Sequence, residues 1–282
     1  MDINIILTYG VLLLSVISTW TKFKLFNKIP IWLLFLTISF VLAITFKRAS
    51  YLSLIYTLIF GFSVYYNYQQ KNILLFFLVL ALSIPLFFHL PIIDFNNYKY
   101  LHNISLTSHS SPYNLYFNLD KTLIGIFIIA FGFEYKKIEV LPILKLFVIN
   151  LLLMVVIFFI LAIVLGYSKF EPKLPSFSPV WILTNLFFTC IAEEALFRKL
   201  IQQKIYDSLT GRFAIITSIL VASVTFGLVH FKGGISYMIL ASLAGVFYGY
   251  IYYKTKRIES SILLHFTFNL THFLFFTYPA LK

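Results

Sequence analysis

The chain is short of three things: it has one cysteine, Cys190, few charges, and fewer acidic than basic residues. A single thiol excludes an internal disulfide and any zinc site built from several cysteines. Charged residues make up 11% of the 282, against 60% hydrophobic and 20% aromatic. A soluble domain carries about a quarter charged residues, so a soluble globular fold is excluded. Asp and Glu number 10 against 22 Lys and Arg, a formal net charge of +12. In so apolar a chain the basic excess belongs in loops beside anionic lipid headgroups, and no nucleic-acid partner is implied. No internal repeat stands out, so an inverted-repeat transporter lacks its signature. The first hydrophobic stretch, 4–20, has no basic segment before it and no small-residue cleavage site after it, and reads as a retained helix.

What the chain does have is a succession of long apolar runs. A spanning helix needs about 20 predominantly apolar residues. Candidates lie at 4–20, 29–46, 51–67, 73–93, 122–134, 141–166, 179–197, 213–231, 234–253 and 259–278. The expected fold class is therefore all-α, a polytopic membrane bundle of about 8–10 transmembrane helices. The fifth run is short and is weakened by Gly125 and Gly132. With all ten runs counted, twelve basic residues, Lys22, Lys136 and Lys137 among them, fall on one side and seven on the other. That asymmetry makes the first side cytoplasmic and puts both termini outside. The chain divides at a polar loop, 94–120, rich in Asn, Tyr, Ser and His. The helices of 1–93 carry almost no ionisable residue away from their ends and are expected to serve packing or substrate access; the chemistry is expected in 121–282. His102 and His109, in the loop, have no acidic or Cys neighbour at ligand spacing and read as solvated.

The costly polar side chains fall after position 180. Glu193 and Glu194 lie side by side in an apolar run, where one carboxylate costs about 2.5 kcal/mol or more and two also repel each other. On a helix Glu194 and Arg198 are four apart and suited to an ion pair. Glu193 points about 100° away, on the stripe of Leu186, Phe197 and Leu200, and is left to face a cavity. The competing reading is a purely structural ion-pair network, against which one arginine cannot satisfy two buried carboxylates. His230 ends the next run, and Gly211 is the natural turn, 18 residues after Glu193 and 19 before His230. Two continuous helices would bring the pair to nearly one depth, able to hold a water as general-base chemistry requires. His265 and Asn269 are spaced i, i+4 on the last run, suited either to two donors for an oxyanion or to interhelical hydrogen bonds. Counting from the 254–258 loop puts His265 on the cytoplasmic side of His230 unless a helix tilts or breaks, for which Gly233-Gly234 is one place. His272 lies nearer the helix end and stays outside the site. Ala241, Gly245 and Gly249 form a small-residue packing stripe. Cys190 is read as packing, since a buried apolar environment disfavours a thiolate.

Glu193-Glu194-Ala-Leu-Phe-Arg198, then Phe226 to His230, then His265 to Asn269 appear in that order within 185–270. This set resembles the CAAX-protease and bacteriocin-processing family of intramembrane endopeptidases. The resemblance implies a peptide or protein substrate in or at the membrane. It casts Glu193 as the carboxylate that activates water, His230 as the residue positioning that water, His265 and Asn269 as the oxyanion pair, and Glu194 with Arg198 as the supporting ion pair. It implies an integral multi-pass protein of a prokaryotic cell (inner) membrane. No cofactor is expected; the alternative is a zinc ion held by Glu193, His230 and His265. These residues lack the i, i+4 His pair of the zinc-protease helix, which favours the glutamate mechanism. A transporter or a non-catalytic membrane adaptor using the same cluster for ion or partner binding is the alternative function.

Overall fold

The computed structural model describes residues 1–21, 23–133 and 140–282. Lys22, Lys136 and Lys137, counted above for orientation, lie outside the described residues. Ten helices follow the apolar runs among the described residues: α1 Ile3–Ser18, α2 Ile31–Thr45, α3 Tyr51–Gln70, α4 Ile73–Phe88, α5 Leu119–Gly132, α6 Val140–Val164, α7 Ser178–Ser208, α8 Gly211–Leu228, α9 Gly234–Thr255 and α10 Ile258–Phe275. The expected all-α membrane bundle is thus observed. Four helices, α6, α7, α8 and α9 with its preceding turn, are long and apolar enough to cross a bilayer; α1, α2 and α4 are shorter apolar helices. The only sheet structure among the described residues is in two antiparallel or hairpin-like ribbons: β1 Lys24–Leu25 with β2 Ile29–Pro30, and β3 Tyr98–Ile104 with β4 Tyr113–Phe117. The polar segment 94–120 therefore carries a β-ribbon rather than irregular chain alone.

The chain forms two compact units: 1–100, 115–135 and 187–193 in one, and 101–114, 136–186 and 194–282 in the other. In the first, α1 packs on α2, and α3, α4 and α5 pack on one another. Every residue from Leu119 to Ile129 in α5 is buried, as expected of a helix that is apolar on nearly all faces. Gly125 and Gly132 are contact points in α5. A Cβ at Gly125 would lie 3.2 Å from the Ala192 backbone, and one at Gly132 would lie 2.5 Å from the Tyr68 ring. The shortness of α5 is thus that of an enclosed core helix.

In the second unit α8 packs along α9, and α10 packs on both α9 and α6. Gly211, at φ +66°, opens α8 just where a turn was expected. The small-residue stripe of α9 serves packing, as read from its spacing. A Cβ at Gly245 would stand 2.9 Å from Ser223 Cα on α8, and one at Gly249 would stand 2.8 Å from Gln202 Oε1. The C-terminal end is stitched down by backbone hydrogen bonds from Glu171 to Phe275, Lys173 to Leu274 and Ser111 to Ala280, at 2.8, 2.7 and 2.9 Å.

Candidate active site

The helix bearing both glutamates is not a regular α-helix. Its turns are widened to π-helical over Thr184–Cys190 and again over Ala195–Gln202, with a single α-turn, Ile191–Glu194, between them. Wide turns of this kind are rare and recur at functional sites. They change the angular phase along α7, so the stripe drawn from a uniform 100° step holds only locally. The boundary between the two compact units also falls between Glu193 and Glu194.

In the C-terminal unit Glu194 is fully buried and held from three sides. Arg198 Nε donates to its Oε2 at 3.1 Å, Ser261 Oγ donates to the same oxygen, and His265 Nδ1 lies 2.9 Å from Oε1. The Glu194–Arg198 pair expected from i, i+4 spacing is present. The guanidinium also lies over the rings of Phe226 and Tyr248, at 5.4 and 5.9 Å. Ser261 and Tyr248 were not picked out from the sequence. A serine or tyrosine among so many apolar residues gives no signal until α9 and α10 pack.

The two site histidines are each oriented by an acceptor. A carboxylate can only accept, so His265 carries a proton on Nδ1, facing Glu194. Its ring is stacked on Tyr248, centroids 4.5 Å apart, with Phe226 edge-on at 5.6 Å. His230 lies just beyond the end of α8, in the turn before Gly233-Gly234, where the backbone breaks as that pair of glycines suggested. Its Nδ1 faces the Phe226 carbonyl oxygen at 2.6 Å, so that nitrogen too carries the proton. A neutral imidazole held in this way has Nε2 as an acceptor. Phe226, the first residue of the second motif, therefore contacts both histidines, with its ring centroid 4.7 Å from that of His230. On α10, Asn269 Nδ2 lies 3.4 Å from Asn185 Oδ1 on α7. His272 packs against Tyr278, ring centroids 5.3 Å apart.

Glu193 has a different environment. The sequence assigns it no cation, and the structure supplies one: Lys121 Nζ of α5 donates to its Oε1 at 2.5 Å, both side chains being buried. Lys121 was missed because nothing in its local sequence points 72 residues ahead. Among the described residues no group of three His, Cys, Asp or Glu side chains is placed to hold a metal ion. The Cys190 side chain is buried, in keeping with a packing role. In the ribbon segment His102 is exposed, and His109 contacts Glu171 at 3.1 Å.

Residues 175–271, which contain all three motifs, match the family model described as Type II CAAX prenyl endopeptidase Rce1-like. No curated protein and no solved structure gives a match to the chain. The match falls on α7 to α10, the helices that assemble the Glu194, Arg198 and His265 cluster. The likeness to the CAAX-protease family of peptidases thus rests on that segment and its three motifs, in a chain with four helices among the described residues long and apolar enough to cross a membrane.

Proposed function

We propose that the protein is an intramembrane endopeptidase working by a glutamate mechanism, with its catalytic core in 121–282, accessory helices in 1–93, and a prokaryotic inner membrane as its setting. Its substrates are peptides or proteins in or at the bilayer, with prenylated CAAX termini the class that the matched family's description points to. The observation that carries the reading is the Glu194–Arg198–His265 cluster. Within the family-matched segment the second glutamate is held by Arg198, Ser261 and His265, which supports Glu193 as the catalytic carboxylate.

In this mechanism Glu193 takes a proton from a water whose other hydrogen is accepted by His230 Nε2. The water oxygen attacks the scissile carbonyl carbon, forming a tetrahedral oxyanion. Collapse breaks the carbon–nitrogen bond, and the proton held on Glu193 passes to the leaving amine, giving a free carboxyl and a free amine. His265 and Asn269 donate to the oxyanion. Since Nδ1 of His265 is committed to Glu194, donation from Nε2 requires the doubly protonated ring, and the adjacent carboxylate stabilises that form. For the zinc alternative, Glu193, His230 and His265 would be the holders and a metal-bound water the nucleophile. Among the described residues no three His, Cys, Asp or Glu side chains lie together as a ligand set of that kind.

The test is cleavage of a pool of prenylated CAAX peptides and unmodified apolar peptides by purified protein in liposomes, with and without a strong zinc chelator. Glu193→Gln is expected to lose activity by at least about 100-fold, the lower end of what a general base contributes, and wild type is expected to ignore the chelator. Equal turnover by wild type and Glu193→Gln would sink the peptidase reading; loss with chelator alone would move it to a metalloprotease.

A further inference from the structure

Outside the three motifs, one buried cation is aimed at the motif glutamate, and it comes from a helix beyond the family-matched segment. Lys121, in the first turn of α5, donates from Nζ to Glu193 Oε1 at 2.5 Å. Three independent features put it there. First, the missing side chain of Gly125, one turn on, lets the α5 backbone approach Ile191 and Ala192 of α7: a Cβ there would lie 3.0 Å from Ile191 Cγ2 and 3.2 Å from Ala192 N and Cα. Second, the start of α5 is pinned. Lys121 N donates to Asp120 Oδ1 at 2.7 Å, Leu119 N donates to Asn97 Oδ1 at 2.8 Å, and the Asp120 carboxylate is engaged by His89 Nδ1 at 2.9 Å. Third, the Lys121 ammonium lies 4.1 Å from the centroid of the Phe87 ring at the end of α4, an apolar wall that narrows where the ammonium can go. A lysine with so many rotatable bonds gains a defined position only when its surroundings impose one.

We propose that Lys121 is the positioning residue for Glu193. It holds the carboxylate in one rotamer and supplies the counter-charge that lets a buried carboxylate persist as a base, so that a support of the catalytic apparatus comes from α5. This rests on the glutamate-peptidase reading above. A carboxylate without such a partner in an apolar interior is costly and disordered in its orientation. The general base must meet its water within hydrogen-bonding reach, and a misplacement of about 1 Å costs on the order of 100-fold in rate. Because the role assigned to Lys121 runs through Glu193, its loss should fall on turnover and leave substrate binding alone.

The experiment uses the full-length protein in liposomes and the peptide that wild type cleaves best. Wild type, Lys121→Met, Lys121→Arg, Glu193→Gln and the double variant Lys121→Met/Glu193→Gln are compared for kcat, KM and thermal unfolding. Lys121→Met is expected to lower kcat by about 10- to 100-fold at unchanged KM, counted per folded molecule. Lys121→Arg is expected to restore most of the loss, because it returns the cation. The double variant is expected to unfold at a higher temperature than Lys121→Met alone, since it also removes the buried carboxylate charge that Lys121 balances, and to be no less active than Glu193→Gln. A Lys121→Met enzyme with wild-type kcat, or one whose deficit is only a smaller folded fraction with no rescue by arginine, overturns the proposal while leaving the peptidase reading intact. Equal turnover by wild type and Glu193→Gln overturns both.

Discussion

At residue scale the energetics of the C-terminal cluster rest on desolvated charge. Arg198 and Glu194 are both fully buried, so neither is screened by water. Removing one partner leaves the other stranded, which costs about 3–5 kcal/mol, while replacing both with neutral groups of similar size is near neutral. Arg198→Met is therefore expected to destabilise the protein by about that range, and Arg198→Met/Glu194→Gln to recover most of the loss; denaturant unfolding in mixed micelles measures both. A single variant as stable as wild type would contradict the ion pair's role. Arg198→Lys is expected to recover little, because the planar guanidinium is what fits between Phe226 and Tyr248. The Glu194–Arg198 pair was legible because four residues on a helix are neighbours. The partners Lys121, Ser261 and Tyr248 were not, since each reaches its contact through the packing of a separate helix.

At the scale of elements, close helix crossings set where the polar side chains stand. Gly245 on α9 meets Ser223 on α8 at backbone distance. Gly245→Val would force the two helices apart and is expected to cost about 1–3 kcal/mol, as overpacking usually does. A thermal-shift series of Gly245→Ala and Gly245→Val should show graded loss; no change in either would mean the crossing is slack. The segment before α7 carries a titrating tether. Although desolvation raises it, the Glu171 carboxyl is held below its ordinary value by hydrogen bonds from Thr107 and His109 and by the charges of His109 and Lys173. A carboxyl lowered on folding contributes stability that is fully present above its unfolded value, here 4.5, and is lost as pH falls through the lower folded value. Amide exchange in 105–111 is therefore expected to quicken as pH falls below 4.5 in wild type, and to lose that acid dependence in Glu171→Gln. Run lengths placed most helix ends within a few residues, although α7 continues to Ser208, well past the expected 197; the widened turns of α7 left no mark in its composition, because hydrogen-bond register is decided by what the helix packs against.

For the whole molecule, lipid replaces water as the surrounding solvent. The apolar drive between helices is then small, and packing contacts carry their association. α6 shows the contrast along one helix: Leu152 is 60% exposed, whereas Phe158 is buried with its ring centroid 4.7 Å from that of Phe268. Leu152→Ala is expected to change stability by less than about 0.5 kcal/mol and Phe158→Ala by about 3 kcal/mol, read by unfolding in micelles. Equal effects would mean α6 does not present Leu152 to lipid. By itself the sequence determined that this is a multi-helix membrane protein with three polar motifs near its C-terminal end. It could do so because apolar run length and the cost of a charge in lipid are local properties of the chain. The tertiary structure decided which partner each charge receives. Arg198, Ser261 and His265 converge on Glu194, and Lys121 of α5 takes Glu193. Such pairings depend on which helices pass close enough for buried charges to meet, and no spacing along one chain segment records that.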